Sequence, residues 1–153
     1  MPIEVAAHAG FCMGVRRAVE AASAVADSGK PSCTLGELIH NPQVVDTLRK
    51  RGVPPVASVE EAAGRQVLIR SHGVAPEVID DLHAAGCEVL DLTCPFVDKL
   101  HRIVAEGTAP DCPVILVGEK EHPEVRGTAG WSKGEVYVVA TPEEAMQLPD
   151  MPK

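Results

Sequence analysis

Aromatic side chains are scarce in this sequence, in which one Trp, one Tyr and two Phe make up 3% of 153 residues. A folded core must therefore be aliphatic. Hydrophobic residues reach 45% and charged residues 24%, a balance typical of soluble globular proteins and not of disordered chains. At this length the chain can form one ordinary domain or two small ones.

Long apolar runs are also missing. No stretch approaches the roughly 20 apolar residues of a membrane helix, so we expect no membrane partner. The N-terminus, MPIEVAAHAG, carries Glu4 and lacks the basic and apolar regions of a secretory signal. We therefore expect a cytoplasmic protein, whose reducing surroundings disfavour disulfides among the five cysteines.

Basic residues are few, with 14 Lys and Arg against 22 Asp and Glu and a formal charge of −8. Nonspecific nucleic-acid binding depends on neutralising phosphates with Lys and Arg, so we expect no nucleic-acid partner. A small anionic ligand is not excluded, because it needs only a few local donors.

Short apolar runs alternate with helical patterns along the chain. Strands are predicted at 3–7, 67–70, 88–90, 114–117 and 136–139, with 33–35 a weaker candidate. Helices are predicted at 15–27, 42–51, 76–85 and 95–106, and a short helical pattern covers 142–148. Repeated strand–turn–helix units predict an α/β fold with a mostly parallel sheet.

The stretch 107–113, GTAPDCP, is the best candidate for a boundary between two such units. Residues 1–107 form a first α/β unit that looks complete. Residues 108–153 form a second that does not, because two strands and one or two helices rarely make an independent core.

Reactive side chains recur in the turns that lead into predicted helices, where parallel α/β sheets gather their ligands. They are Cys12, His40, His72, Cys94, His122 and Glu124. A thiolate at a helix N-terminus is stabilised by unpaired N–H groups and is suited to ligate a metal. The histidines offer N–H donors for phosphate oxygens, and Glu124, two residues after His122, is suited to deliver a proton.

Each of these residues also has a purely structural interpretation. A single cysteine in a turn is commonly buried filling, which applies to Cys12 and more strongly to three cysteines in or beside strand-like runs. Those three are Cys33, Cys87 and Cys112. The remaining histidines, His8, His83 and His101, are expected to be structural or surface residues. His-Pro and Asn-Pro pairs also occur simply as helix entrances, and no CxxC spacing supports a zinc ribbon.

Five segments taken together resemble the LytB/IspH family of 4-hydroxy-3-methylbut-2-enyl diphosphate reductases, in the family's order and from about residue 3 to residue 148. They are AGFCMGVRRAVE, GELIHNPQVVDTLRKRGV, VLIRSHGV, DLTCPFVDKLH and GEKEHPEVRGTAGW. The resemblance implies a trefoil-like arrangement of three α/β units around a 4Fe–4S cluster. It also implies reductive removal of an allylic hydroxyl in the methylerythritol phosphate route, giving isopentenyl and dimethylallyl diphosphate.

The resemblance further assigns a role to each reactive residue. Cys12 and Cys94 are two of three cluster ligands, and His40 and His72 bind the diphosphate. His122 contacts the substrate and assists proton delivery from Glu124. The implied electron donor is ferredoxin or flavodoxin.

The family's third cluster cysteine and its later diphosphate-binding residues have no counterpart before Lys153. Cys112 does not replace that cysteine, because it stands at the start of a predicted strand. The chain thus resembles the N-terminal half of the enzyme, is expected to lack turnover alone, and requires the C-terminal half as a partner. Two alternatives stay open: a non-catalytic module that binds diphosphate through the histidines, and a metal-binding domain that uses the cysteines.

Overall fold

A computed structural model describes residues 3–150, in which helices alternate with short strands. The helices are α1 (Met13–Ser28), α2 (Pro42–Lys50), α3 (Val59–Ala62), α4 (Pro76–Ala84), α5 (Pro95–Gly107), α6 (Pro123–Ala129) and α7 (Pro142–Ala145). The strands are β1 (Ser32–Leu35), β2 (Pro55–Val56), β3 (Gln66–Ile69), β4 (Glu88–Asp91), β5 (Val114–Val117) and β6 (Val136–Val139). Proline opens five of these helices at a position where its missing N–H costs no hydrogen bond.

The first four strands form one parallel sheet in the order β2-β1-β3-β4. Side chains of β3 alternate between the two faces, as the period of a strand requires. Leu68 packs in a cluster with residues of α1 and α2, while Val67 and Ile69 pack in a second cluster with residues of α3 and α4. The sheet is therefore covered on both faces, which explains why its strands read as continuous apolar runs.

The last two strands, β5 and β6, form a separate parallel sheet with α6 between them in the chain. Its strands are only partly covered: Val139 is buried, whereas Ile115 is 44% and Val117 is 83% exposed. The division into units at 1–107 and 108–153 remains a prediction, and its proposed boundary lies between α5 and β5.

The two sheets are connected through the turn between β3 and α4. Trp131, which follows α6, donates its indole N–H to the Val74 carbonyl over 3.0 Å. His101 of α5 stacks on the same indole, with ring centroids 5.2 Å apart. Gly73 has a φ of +69°, and a Cβ there would lie 2.5 Å from His101 Cε1. Glycine is thus required at this junction by both backbone conformation and space.

The fold class predicted from the sequence, parallel α/β, is confirmed. Four predicted helices and four of the five firmly predicted strands are found within two residues of their expected bounds, and the weaker candidate at 33–35 is the strand β1. The elements β2, α3 and α6 were not predicted. Along the described part of the chain, no helix is long and apolar enough to cross a membrane.

The predicted strand at 3–7 is wrong. This segment has no regular structure, and Ile3 and Val5 are 92% and 79% exposed. Alternating Ile and Val favour a strand only where a neighbouring strand and a buried face are present. Within residues 3–150 the segment belongs to neither sheet.

Candidate functional site

Three histidines from distant parts of the sequence meet at the carboxyl ends of strands. The ring centroids of His40 and His72 are 4.6 Å apart, and His122 lies 5.9 Å from His40 and 5.8 Å from His72. The three follow β1, β3 and β5, so the cluster draws on both sheets. We call these three residues the histidine cluster.

Local hydrogen bonds hold the backbone beside His40 and His72. Asn41, next to His40, caps α2 by accepting the Val44 N–H over 3.1 Å. The Ser71 N–H, next to His72, donates to the Leu38 carbonyl over 3.3 Å and so joins the first two turns.

His122 caps α6 in a way that selects its tautomer. Its Nδ1 accepts the backbone N–H of Glu124 over 3.2 Å. In the neutral ring the proton must then be on Nε2, which remains available as a donor. The same hydrogen bond ties the His122 ring to the residue that carries the Glu124 carboxylate.

His72 is the most strongly perturbed member of the cluster. Burial, followed by the charges of His40, Arg70 and His122, lowers the pKa of His72 to about 4. Its Nδ1 is buried and has no hydrogen-bond partner within residues 3–150. A neutral imidazole with an unsatisfied buried nitrogen is suited to bind a ligand. The free protein already bears the free-energy cost of leaving that nitrogen unpaired, and a ligand that supplies the hydrogen bond removes it.

The turn that carries Cys94 is hydrogen-bonded to the residue that precedes His72. The Cys94 N–H donates to the Ser71 carbonyl over 2.9 Å. Cys94 begins α5 without using its side chain as a cap, so the thiol is free for other contacts. Arg17 of α1 donates to the Thr93 carbonyl and holds the turn from the other side.

Cys12 enters the same neighbourhood through α1. It is the N-cap residue, immediately before this helix, and it is exposed. Its side chain makes no capping hydrogen bond. A Cβ on Gly14, two residues later, would lie 2.5 Å from Cys94 Sγ, so the start of α1 packs against that thiol. Gly14 therefore makes room for the Cys94 side chain.

The two thiols fit a metal centre only as part of a ligand set. Both lie at helix N-termini, half-buried or exposed, with neither sealed in aliphatic packing. Between residues 3 and 150 no group of three or more His, Cys, Asp and Glu side chains could hold a metal ion. A cluster with three cysteine ligands would need a thiol that this part of the chain does not place nearby.

Glu124 occupies the first turn of α6 and is half-buried. It lines a mostly apolar cavity of about 260 Å³, together with Leu100, Ile115, Val117 and Thr128. Glu124 therefore borders a hydrocarbon-lined space, while its backbone N–H is bonded to the His122 ring.

The other cysteines and histidines lie outside the cluster. Cys33 and Cys87 are buried in the core, as predicted. Cys112 is exposed, so its interpretation as buried filling is wrong: its backbone pairs with Ala109 in a surface turn before β5. His83 is exposed on α4, and His101 is buried against Trp131.

Two arginines near the site were missed from the sequence. Arg17 supports the Cys94 turn, and Arg70 immediately precedes Ser71 and His72 at the end of β3. The available signal for Arg70 was a charged residue directly after an apolar strand run in an acidic chain. No local pattern in the sequence pointed to Arg17, because its partner Thr93 is 76 residues away along the chain.

Comparison with known proteins identifies the family of this chain. The family model described as LytB protein matches residues 3–153. A relative from Geobacter sp. (strain M21), named 4-hydroxy-3-methylbut-2-enyl diphosphate reductase, is 44% identical over the whole of this chain and 54% of its own length. A relative of the same name from Thermoanaerobacter sp. (strain X514) is 45% identical over 55% of its length.

Two solved structures of reductases also match most of this chain. One, of (E)-4-hydroxy-3-methyl-but-2-enyl diphosphate reductase, is 45% identical and matches 93% of this chain and 52% of its own with a TM-score of 0.76. The reductase from Plasmodium falciparum is 26% identical and matches 94% and 46% with a TM-score of 0.85. The chain spans about half the length of the curated relatives it matches, and it belongs to the LytB protein family.

Proposed function

We propose that this chain forms the N-terminal portion of a 4-hydroxy-3-methylbut-2-enyl diphosphate reductase. The observation that carries the proposal is the meeting of three imidazoles from three strand ends beside a turn that presents a thiol. Relatives bearing that name match the whole length of the chain.

The histidine cluster is proposed to bind the diphosphate of an allylic substrate. The low pKa of His72 keeps this ring neutral near pH 7. A neutral imidazole donates an N–H to a phosphate oxygen without the cost of burying a charge beside other cationic groups. Nε2 of His122 is the donor that its capping bond leaves free.

Glu124 is proposed to hold the proton that converts the departing hydroxyl into water. This residue lines the apolar cavity, and its backbone N–H donates to the His122 ring. A diphosphate at the cluster would therefore direct the hydrocarbon part of the substrate toward this space. Protonation matters because hydroxide is a much poorer leaving group than water.

Cys12 and Cys94 are proposed as two of the three cysteine ligands of a 4Fe–4S cluster. When bound, such a cluster supplies electrons and a Lewis-acidic iron. Gly14 lets the start of α1, the helix that Cys12 precedes, approach Cys94 Sγ. The whole protein is proposed to have three α/β units in a trefoil-like arrangement. It is also proposed to be cytoplasmic, to take electrons from ferredoxin or flavodoxin, and to act in the methylerythritol phosphate pathway.

Substrate binding by the 153-residue chain tests the histidine assignment. Calorimetric titration with 4-hydroxy-3-methylbut-2-enyl diphosphate should show binding that His72→Asn weakens at least about tenfold, the effect of losing hydrogen bonds to a charged group. His83→Gln, an exposed histidine on α4, is the matched control and should bind as the parent does. Equal affinities for the two variants would refute the diphosphate role.

Anaerobic reconstitution separates the remaining possibilities. We expect the chain alone to retain less iron and sulfide than a full 4Fe–4S complement and to show no turnover. Diphosphate binding by colourless protein would favour the non-catalytic binding module, and stoichiometric zinc would favour the metal-binding domain. A full cluster with substrate reduction by this chain alone would contradict the assignment of only two ligands.

A further inference from the structure

A second cavity lies beside the histidine cluster and is lined by a different set of residues. Its volume is about 480 Å³, within the range of small-molecule sites. It is enclosed by the end of β1, the turn before α3, the start of α4 and one side of α6. Two of its lining residues are arginines, Arg70 and Arg126, in a chain of net charge −8.

Arg70 is a half-buried cation without a counter-ion. Its Nε is buried and unpartnered, and no carboxylate among residues 3–150 forms an ion pair with its guanidinium. A Cβ on Gly36, whose φ is +69°, would lie 2.9 Å from Arg70 Nη1, so the glycine leaves space for the guanidinium against the cavity wall. A buried charge left unpaired is costly, which makes an added anion favourable.

Arg126 presents a second guanidinium to the same space. The charge of Arg126 reaches Arg70, because it adds to burial in lowering the pKa of Arg70. The acidic group that lines the cavity is Glu121, whose carboxylate is 4.0 Å from Arg126 Nη1 and 84% exposed. Such an exposed pair contributes little, so Glu121 does not neutralise two arginines.

The beginning of α4 adds a third electropositive feature. Ala75 precedes this nine-residue helix and has no side chain to cap it. Val74, Ala75 and Val78 all line the cavity. Pro76 has no N–H, and the Val78 N–H already donates to the Ala75 carbonyl over 3.1 Å. This helix end therefore contributes the positive end of its dipole to the cavity wall and not a set of free donors.

We propose that the cavity between Arg70 and Arg126 is a binding site for a phosphate-class oxyanion. Arginine suits this ligand because its planar fork can donate two parallel hydrogen bonds to a phosphate. The Ser58 hydroxyl, also in the lining, is a further donor. This site goes beyond the proposed function, which places the substrate diphosphate on the histidine cluster.

Titration of the ¹⁵N-labelled 153-residue chain with inorganic phosphate tests the site. At pH 7.5 and constant ionic strength, saturable amide shifts are expected at Gly36, Ser58 and Ala75. Arg126→Gln and Arg70→Lys should each weaken binding at least about fivefold, because each removes one guanidinium that donates paired hydrogen bonds to the anion. Arg126 is 70% exposed, so its replacement leaves the core intact.

The matched control is Arg102→Gln, which removes the same charge from an exposed ion pair on α5. It should stay within about twofold of the parent, because Arg102 is not among the residues that line the cavity. Equal loss in Arg102→Gln and Arg126→Gln would overturn the proposal, as would shifts confined to the amides around the histidine cluster or no saturable shifts. A parallel titration of His72→Asn keeps the two proposals separate, because this variant should retain phosphate binding at the arginines.

Discussion

The two sheets of this chain share one local design and differ in how fully they are buried. In the four-stranded sheet, Val67, Leu68 and Ile69 are each 0% exposed, with an aliphatic cluster on either face. In the two-stranded sheet, Ile115 and Val117 are 44% and 83% exposed. Parallel strands usually need both faces covered. The four-stranded sheet meets this condition, whereas the two-stranded sheet is buried mainly on one face.

The histidine cluster depends on both sheets. His40 and His72 follow strands of the buried sheet, whereas His122 follows a strand of the open one. Their ring separations of 4.6 to 5.9 Å are therefore set by the junction between the sheets as well as by either sheet alone. A well-packed four-stranded sheet is necessary for the site but does not by itself fix the site's geometry.

The largest expected effect is the loss of packing in the buried sheet. Leu68→Ala removes a fully buried side chain between α1 and α2 and should lower the free energy of unfolding by about 3 kcal/mol. Ile115→Ala in the open sheet should cost less than about 1 kcal/mol, because part of that side chain is already in water. Urea denaturation followed by circular dichroism measures both, and equal losses would show that the two sheets are equally packed.

The next effect concerns the junction. Trp131→Phe removes the N–H that donates to the Val74 carbonyl and reduces the stack on His101, which should cost about 1 to 2 kcal/mol. The loss should be local, so that amide hydrogen exchange in β5 and β6 speeds up more than in β1 and β3.

Ser132→Ala, one residue along, is the control for Trp131→Phe. Its hydroxyl donates to the Gly134 carbonyl and accepts the Gly134 N–H, both within its own turn. The substitution should therefore leave exchange in the sheets unchanged. Uniform acceleration across both sheets in Trp131→Phe would mean that the two sheets unfold as one unit.

Much of the four-stranded region was predictable, because its signals are local. Buried parallel strands read as apolar runs, and Pro42, Pro76 and Pro95 mark the helix starts where the structure has them. The rule that strand carboxyl ends gather ligands was enough to place His40 and His72 in one site.

The remaining features depend on contacts between distant residues. The segment 3–7 carries a strand pattern but is exposed, since pattern alone does not provide a partner strand. Arg70 reads as an ordinary charged residue until the fold brings Gly36 and Arg126 to it. The packing of Gly14 against Cys94 is likewise visible only in the fold.

The smallest expected effect is a pH dependence of the unfolding free energy that arises from His72, beside the buried sheet. Burial beside the four-stranded sheet lowers the pKa of His72 to about 4, below its unfolded value near 6.5. Between these values the unfolded state binds more protons, so stability is complete above about pH 6.5 and falls as the pH drops toward 4. Because the ring is only half-buried, we expect this residue to account for on the order of 1 kcal/mol.

His72→Asn removes the titrating ring, so its loss of unfolding free energy between pH 7.5 and 5 should be smaller than that of the parent. Leu68→Ala is the control, because it changes no titrating group and should lower stability equally at both pH values. An NMR titration of the His72 ring gives its pKa directly. A midpoint near 6.5 would mean that the His72 ring is exposed to water, as the side chains of the open sheet are. The difference in burial between the two sheets would then not hold at the histidine cluster.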